Sequence, residues 1–186
     1  MIIHPVSQPI TAAEFELMPD TKGYELVGGR LKEKTVGAFS SQIAIIFYSL
    51  LLTRFDWRRH GWIFDSECGY QCWPQPDSNR VRKPDISFVA KGRLPQVPHG
   101  WIKIAPDLAI EILSKNDRPG ELEEKVAEYQ EAGVKLVWVI DPEAEEVRVF
   151  CPSATPITLT GAEELHDDAI LPGFRCQVSE IFPPRE

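Results

Sequence analysis

The chain of 186 residues predicts a mixed α/β (α+β) fold in one domain: a central mixed β-sheet flanked by helices, with an N-terminal hairpin. Three observations carry that expectation. Leu136-Val-Trp-Val-Ile-Asp141 is a short, continuously apolar run, as expected of a strand covered on both faces. Before it, Pro119 to Ala132 sets Leu122, Val126 and Tyr129 at helical spacing, and before that Asp107 to Leu113 reads as another strand. Strand, helix and strand in succession imply a right-handed crossover between parallel strands.

In chain order, Thr11-Ala-Ala-Glu14 is a capping-box pattern opening a short helix that Pro19 ends. Tyr24 to Lys34 reads as a hairpin, with Gly28-Gly29 supplying the positive φ angles of a tight turn. A helix apolar on most of its circumference, hence largely buried, follows from about Ser40 to Arg58. Strands are expected near Trp62 to Trp73, Asp85 to Val89 and Asp107 to Leu113. Lys115-Asn-Asp-Arg-Pro-Gly120 carries cap residues and a first-turn proline for the next helix, which Gly133 stops. Beyond Asp141, Glu146 to Phe150 and the stretch to Phe182 look like edge strands and turns kept short by prolines and Gly161. The single domain therefore divides into an N-terminal extension (1–10), a core (about 11–150) and C-terminal strands and tail (151–186).

At this length the chain buries roughly 70% of the surface its unfolded form exposes, so no staples are needed. Cys68, Cys72, Cys151 and Cys176 form neither a disulfide framework nor a paired zinc pattern. Placed on one strand, Cys68 and Cys72 would stand about 13 Å apart, too far to share a metal ion. The N-terminus lacks a secretory pattern, and the longest apolar run, Ile43 to Leu52, is too short to span a bilayer, so no membrane association and a cytoplasmic location are expected. A net charge of -8 argues against nonspecific affinity for nucleic acid. Yet Arg80 to Lys103 holds six basic residues against one acid, Asp85, so a local basic region survives on an acidic chain.

Chemistry concentrates on two acids. Asp85 follows Pro84 at the start of one strand, and Glu111 interrupts the apolar run of the next, where a bare carboxylate is costly. A wide connection from Lys91 to Pro106 allows the strands to lie side by side with both carboxylates on one face. Such a pair repels unless it shares a proton or a divalent cation sits between, and magnesium, which prefers carboxylates and water, is the natural occupant. Lys125 falls on the inward stripe with Leu122, Val126 and Tyr129. It lies about 9 Å along the helix from Pro119, and Glu111 about 7 Å back from Leu113, so the two are level. A lysine there is a candidate to orient or deprotonate a water near a metal. Glu25, before the hairpin turn, is a weaker fourth candidate.

Each element has a plainer reading: a turn acid for Asp85, a structural ion pair for Glu111 and Lys125, a lysine stem covering Tyr129, and an exposed strand position for Glu25. His60 and His99 lack partners at metal-ligand spacing, and Trp101 either closes over a ligand or packs in the core.

Pro84-Asp85 followed by Glu111-Ile-Leu113 resembles the signature of the PD-(D/E)XK superfamily, the restriction-endonuclease-like fold. Tyr24-Glu-Leu-Val-Gly-Gly, Lys83-Pro-Asp-Ile-Ser-Phe-Val, Ala105-Pro-Asp-Leu-Ala-Ile-Glu-Ile-Leu-Ser, Lys125-Val-Ala-Glu-Tyr-Gln-Glu-Ala-Gly-Val and Trp138-Val-Ile-Asp-Pro together resemble the Uma two family of bacterial endonucleases, over roughly Thr11 to Phe150. The superfamily's lysine would stand where this chain has Leu113; the family's helix lysine matches Lys125. Family members often carry a histidine at the start of the long helix, where this chain reads Phe39-Ser-Ser-Gln-Ile, so that helix is assigned no site residue.

The resemblance implies a DNA endonuclease. Asp85, Glu111 and the backbone carbonyl of Ile112 would hold Mg or Mn, and Lys125 would position the attacking water, leaving a 5'-phosphate and a 3'-hydroxyl. Glu25 would assist, and Arg80, Arg82, Lys83, Lys91 and Arg93 would guide the phosphate backbone. A homodimer fits the family. The rival expectation is a catalytically silent protein of the same fold that binds nucleic acid or serves as a scaffold.

Overall fold

The computed structural model describes residues 8–34, 37–73, 79–115 and 119–184. Most of the expected N-terminal extension and the cap residues Asn116 and Asp117 lie outside them. The chain forms α1 (Ala12–Leu17), β1 (Tyr24–Val27), β2 (Arg30–Glu33), α2 (Ala38–Arg54), α3 (Trp57–His60), β3 (Gly61–Asp65), β4 (Ile86–Ala90), β5 (Leu108–Ile112), α4 (Pro119–Glu131), β6 (Leu136–Asp141), β7 (Glu146–Phe150), β8 (Ile157–Thr160), β9 (Glu164–Leu165) and β10 (Cys176–Gln177).

Local chemistry accounts for the boundaries that matter. Glu14 N–H donates to Thr11 Oγ1 at 3.1 Å and Thr11 N–H to Glu14 Oε2 at 2.7 Å, closing the capping box of α1. Gly28 and Gly29, at φ 55° and 74°, turn β1 into β2 in the left-handed region that a side chain would strain. Gly133, at φ 94°, follows the end of α4.

Six strands form one mixed sheet in the order β3-β4-β5-β6-β7-β8; β5 and β6 are parallel and the other neighbours antiparallel. The parallel pair is the one that α4 connects, as the strand-helix-strand pattern requires. The period of two along β5 divides the core. Leu108, Ile110 and Ile112 join Ile86, Phe88 and Trp138 in packing against Ile43, Phe47 and Leu51 of α2. On the opposite face, Ala109 joins Val137 and Val139 under Leu122, Val126 and Tyr129 of α4. Both faces are covered, which is why β5 and β6 are buried throughout apart from the half-buried Asp141.

Two expectations are corrected. The long helix ends at Arg54, and a separate turn, α3, follows after Phe55. The strand expected from Trp62 to Trp73 stops at Asp65; beyond it, Tyr70 makes isolated bridges to Arg82 and Ile102. Cys68 and Cys72 are therefore not on one strand. Both are free, half-buried thiols, and burial pushes each up to about 12.

Candidate active site

The register between β4 and β5 positions the two acids. Ile86 faces Ile110, Ser87 faces Ala109 and Phe88 faces Leu108, so the next position outward sets Asp85 opposite Glu111. Opposed residues of antiparallel strands share a face, and here it is the face covered by α4. One Asp85 oxygen, Oδ2, accepts the Ile112 N–H at 2.8 Å, which fixes the carboxylate at the end of β5.

Glu111 is 6% exposed, and both its oxygens have partners. Oε2 accepts from Lys125 Nζ at 2.8 Å and Oε1 from the Tyr129 hydroxyl at 2.6 Å. Lys125 and Tyr129 are one helical turn apart on α4, so a single face of that helix supplies both donors. Lys125 Nζ also lies 3.3 Å from Glu25 Oε1. Burial raises Glu111 above the usual carboxylate range, and the negative charge of Asp85 adds to this against the pull of Lys125. Burial alone would lower Lys125, but Glu111 and Glu25 outweigh it and hold the ammonium protonated.

Glu25 anchors a second layer. Its Oε2 accepts from Arg82 Nη1 at 2.8 Å and its Oε1 from the Lys83 N–H at 2.8 Å. Arg82 continues to Glu128 on α4 at 2.6 Å. Burial works against the Glu25 charge, but Lys125, Arg82 and Lys34 override it and hold the carboxyl at about 2. Glu25 is thus a buried residue that braces Lys125, in place of the exposed strand position of the plainer expectation.

Of the residues expected to guide phosphate, two are buried and the others stand away from the acids or paired. Arg82 and Lys83 are 4% and 1% exposed. Lys83 Nζ turns inward to the Thr21 carbonyl and Glu67. Arg80 sits over Trp73 and 3.6 Å from Glu128. Arg93 pairs with Asp107 at 3.0 Å and Lys91 reaches the Arg58 carbonyl, both beyond the far end of β4, roughly 20 Å from Asp85 by strand rise. Lys32, Lys34, Lys125 and Arg82 line a cleft of about 700 Å³ together with Glu25, Asp85 and Glu111, the Lys32 ammonium being paired with Glu121 at 2.7 Å. Trp101 packs in the core, stacked on Phe15 at 5.5 Å, and His60 stacks on Phe55 at 5.4 Å. The start of α2 does take part: Ser40 lines the cleft and donates to the Leu113 carbonyl at 3.0 Å.

The family model described as "Putative restriction endonuclease", Uma2, matches residues 12–179. The chain belongs to the Uma2 family. A crystal structure from Anabaena variabilis ATCC 29413, described as "a putative nuclease belonging to DUF820", is similar at TM-score 0.70 and 22% identity, covering 94% of this chain and 98% of that one. At that identity the likeness shows a shared fold. No curated protein matches the chain.

The donors in this Uma2 chain suit a hard divalent cation. Asp85 and Glu111 offer two carboxylates on one face, and magnesium takes one or two carboxylates with the rest of its shell in carbonyl and solvent oxygens. Among the described residues no three of His, Cys, Asp and Glu gather into a metal cage. A cation already rests there: Lys34 Nζ is 2.9 Å from Asp85 Oδ1.

Two contributors to the candidate site, Tyr129 and Lys34, carry little signal in the sequence. In the sequence Tyr129 belongs to the core stripe, although a tyrosine one turn from Lys125 on an inward face must place its hydroxyl on some acceptor. Lys34 ended the hairpin with no signal beyond its charge. Among the described residues no helix is long and apolar enough to cross a membrane.

Proposed function

We propose that the chain is a metal-dependent DNA endonuclease that hydrolyses phosphodiester bonds. The observation that carries this reading is the convergence, in one cleft, of Asp85 and Glu111 from adjacent strands with Lys125 from α4. Asp85 and Glu111, with the carbonyl of Ile112, would hold magnesium or manganese. Bound there, the ion supplies positive charge that polarises a phosphate and lowers the pKa of water.

The protein's own groups do the rest. Lys125, kept protonated by Glu111 and Glu25, acts as a hydrogen-bond donor that orients the attacking water, and it is unsuited to deprotonate it. Glu25 is a positioning residue, holding Lys125 at 3.3 Å while anchored by Arg82 and the Lys83 N–H. Tyr129 fixes the Glu111 rotamer through its 2.6 Å hydrogen bond. The reading extends to a cytoplasmic homodimer.

A specific observation favours a second reading, a catalytically silent nucleic-acid-binding or scaffolding protein: both oxygens of Asp85 and both of Glu111 already have protein partners. Incubation of the purified protein with magnesium or manganese and plasmid, single-stranded or branched DNA separates the two. Cleavage by the parent and none by Glu111→Ala is the expected result. No cleavage of any of these substrates, or equal cleavage by the variant, overturns the enzyme reading.

A further inference from the structure

We infer that Lys34 is a displaceable counter-ion, seated on the Asp85 carboxylate until a divalent cation evicts it and then free to meet a substrate phosphate at the cleft wall. The inference rests on Asp85 and Glu111 being the metal ligands.

The two carboxylates of the pair are served by different lysines. Lys125 belongs to Glu111 and Glu25. Lys34 belongs to Asp85, with Nζ 2.9 Å from Oδ1 and 2.5 Å from the carbonyl oxygen of Lys83. Because Oδ2 is tied to the Ile112 N–H, Oδ1 is the oxygen left to accept a cation, and Lys34 holds it. The side chains of Lys34 and Asp85 are 13% and 15% exposed, so solvent screens their attraction only in part. A divalent ion arriving at Oδ1 would meet an ammonium at the same atom, and like charges that close repel strongly in a half-buried site.

The two lysines differ in what holds them. Lys125 rises from the middle of α4, braced by two carboxylates. Lys34 lies one residue past the end of β2, on a flexible four-carbon stem; its ammonium donates to Asp85 and to one carbonyl, and it feels Glu25 and Glu111 only through space. Eviction therefore asks for a swing of one side chain at the rim of the cleft. The alternative is a plain structural tie between the hairpin and β4, and it predicts the opposite effect on metal affinity.

Calorimetric titration of the whole chain with manganese tests this in the parent, Lys34→Met and Lys34→Arg. The expected result is that Lys34→Met binds about tenfold or more tightly than the parent, since one competing charge is gone, whereas Lys34→Arg, which grips a carboxylate with two N–H groups, binds no better than the parent. Independently of any variant, reductive methylation of Lys34 in the parent, followed by mass spectrometry, is expected to run several-fold faster with manganese than with EDTA. Manganese affinity in Lys34→Met equal to or weaker than a measurable parent value overturns the counter-ion inference and leaves the metal reading standing, as does unchanged methylation. Absence of manganese binding in both parent and Lys34→Met overturns both. Should Lys34→Met fail to fold, the methylation result decides.

Discussion

Lys125 Nζ stands 2.8 Å from Glu111 Oε2, across 14 residues of sequence and between a buried strand and the helix that covers it. Elsewhere the interface between α4 and the sheet is apolar, built from Ala109, Val137 and Val139 below and Leu122 and Val126 above. A buried ion pair in such a place adds little stability over apolar packing of equal volume, so its presence points to a use beyond holding the fold together.

Lys125→Met is expected to lower the rate of DNA cleavage about 10²- to 10⁴-fold, the range for a group that handles the attacking water. It also strands Glu111 and Glu25 without their shared cation, so urea unfolding should show a loss on the order of 3 kcal/mol. Plasmid cleavage at the parental rate by the folded variant removes Lys125 from the reaction.

Arg82→Ala is expected to cost roughly 3–5 kcal/mol, because Glu25 and Glu128 lose the guanidinium that bridges them inside the protein. The slope of DNA affinity against salt should not change, since a buried arginine releases no counterions from phosphate. Denaturant curves and fluorescence titrations at several salt concentrations check the two parts; a flatter slope would put Arg82 on the DNA after all.

Acid should weaken the site through Glu25. Its carboxyl, ordinarily at 4.5, is held at about 2 in the folded chain. A depressed folded-state pKa means that its contribution is complete above about pH 4.5 and is lost as pH falls towards 2. Glu111 has the opposite sign: its folded-state pKa is raised, so its ionisation works against folding as pH rises through and above the usual carboxylate range. Unfolding free energies measured from pH 6 to pH 3 should fall less steeply in Glu25→Gln than in the parent. Parallel curves would show that Glu25 is not the group responsible.

Tyr129→Phe removes the hydroxyl from Glu111 Oε1 while keeping the ring in the core. The orphaned buried acceptor is expected to cost about 1–3 kcal/mol. Calorimetric melting is a direct check, and an unchanged midpoint would mean that solvent replaces the hydroxyl at once.

The sequence made the sheet legible because the pattern there is dictated by burial. Two covered faces demand apolar residues everywhere, and so Glu111 stood out in β5 as the position that broke the rule. Helical spacing was enough to bring Lys125 level with it. Charge alone proved a poor guide to position. Arg82 and Lys83 count as cations in any sequence tally, yet the bridges from Leu26 to Val81 and from Tyr70 to Arg82 draw that segment inward, and the buried Glu25, the half-buried Glu128 and the exposed Glu67 pair with both. Pairings of this kind join residues tens of positions apart and leave no local periodicity. Lys34 was invisible for the same reason: its partner Asp85 is 51 residues away.

The pairing of β4 with β5 also bears on how such a site changes over time. The opposition of Asp85 and Glu111 is a matter of parity along two short strands, so the exposed connection from Pro95 to His99 is open to lengthening, trimming or exchange without moving either acid. A single residue inserted between Asp85 and Phe88 would instead turn Asp85 to the α2 side and leave Glu111 alone with its lysine. Variation in what this chain touches is thus cheap at one end of the hairpin, whereas the chemistry at the other end tolerates replacement but not a change of count.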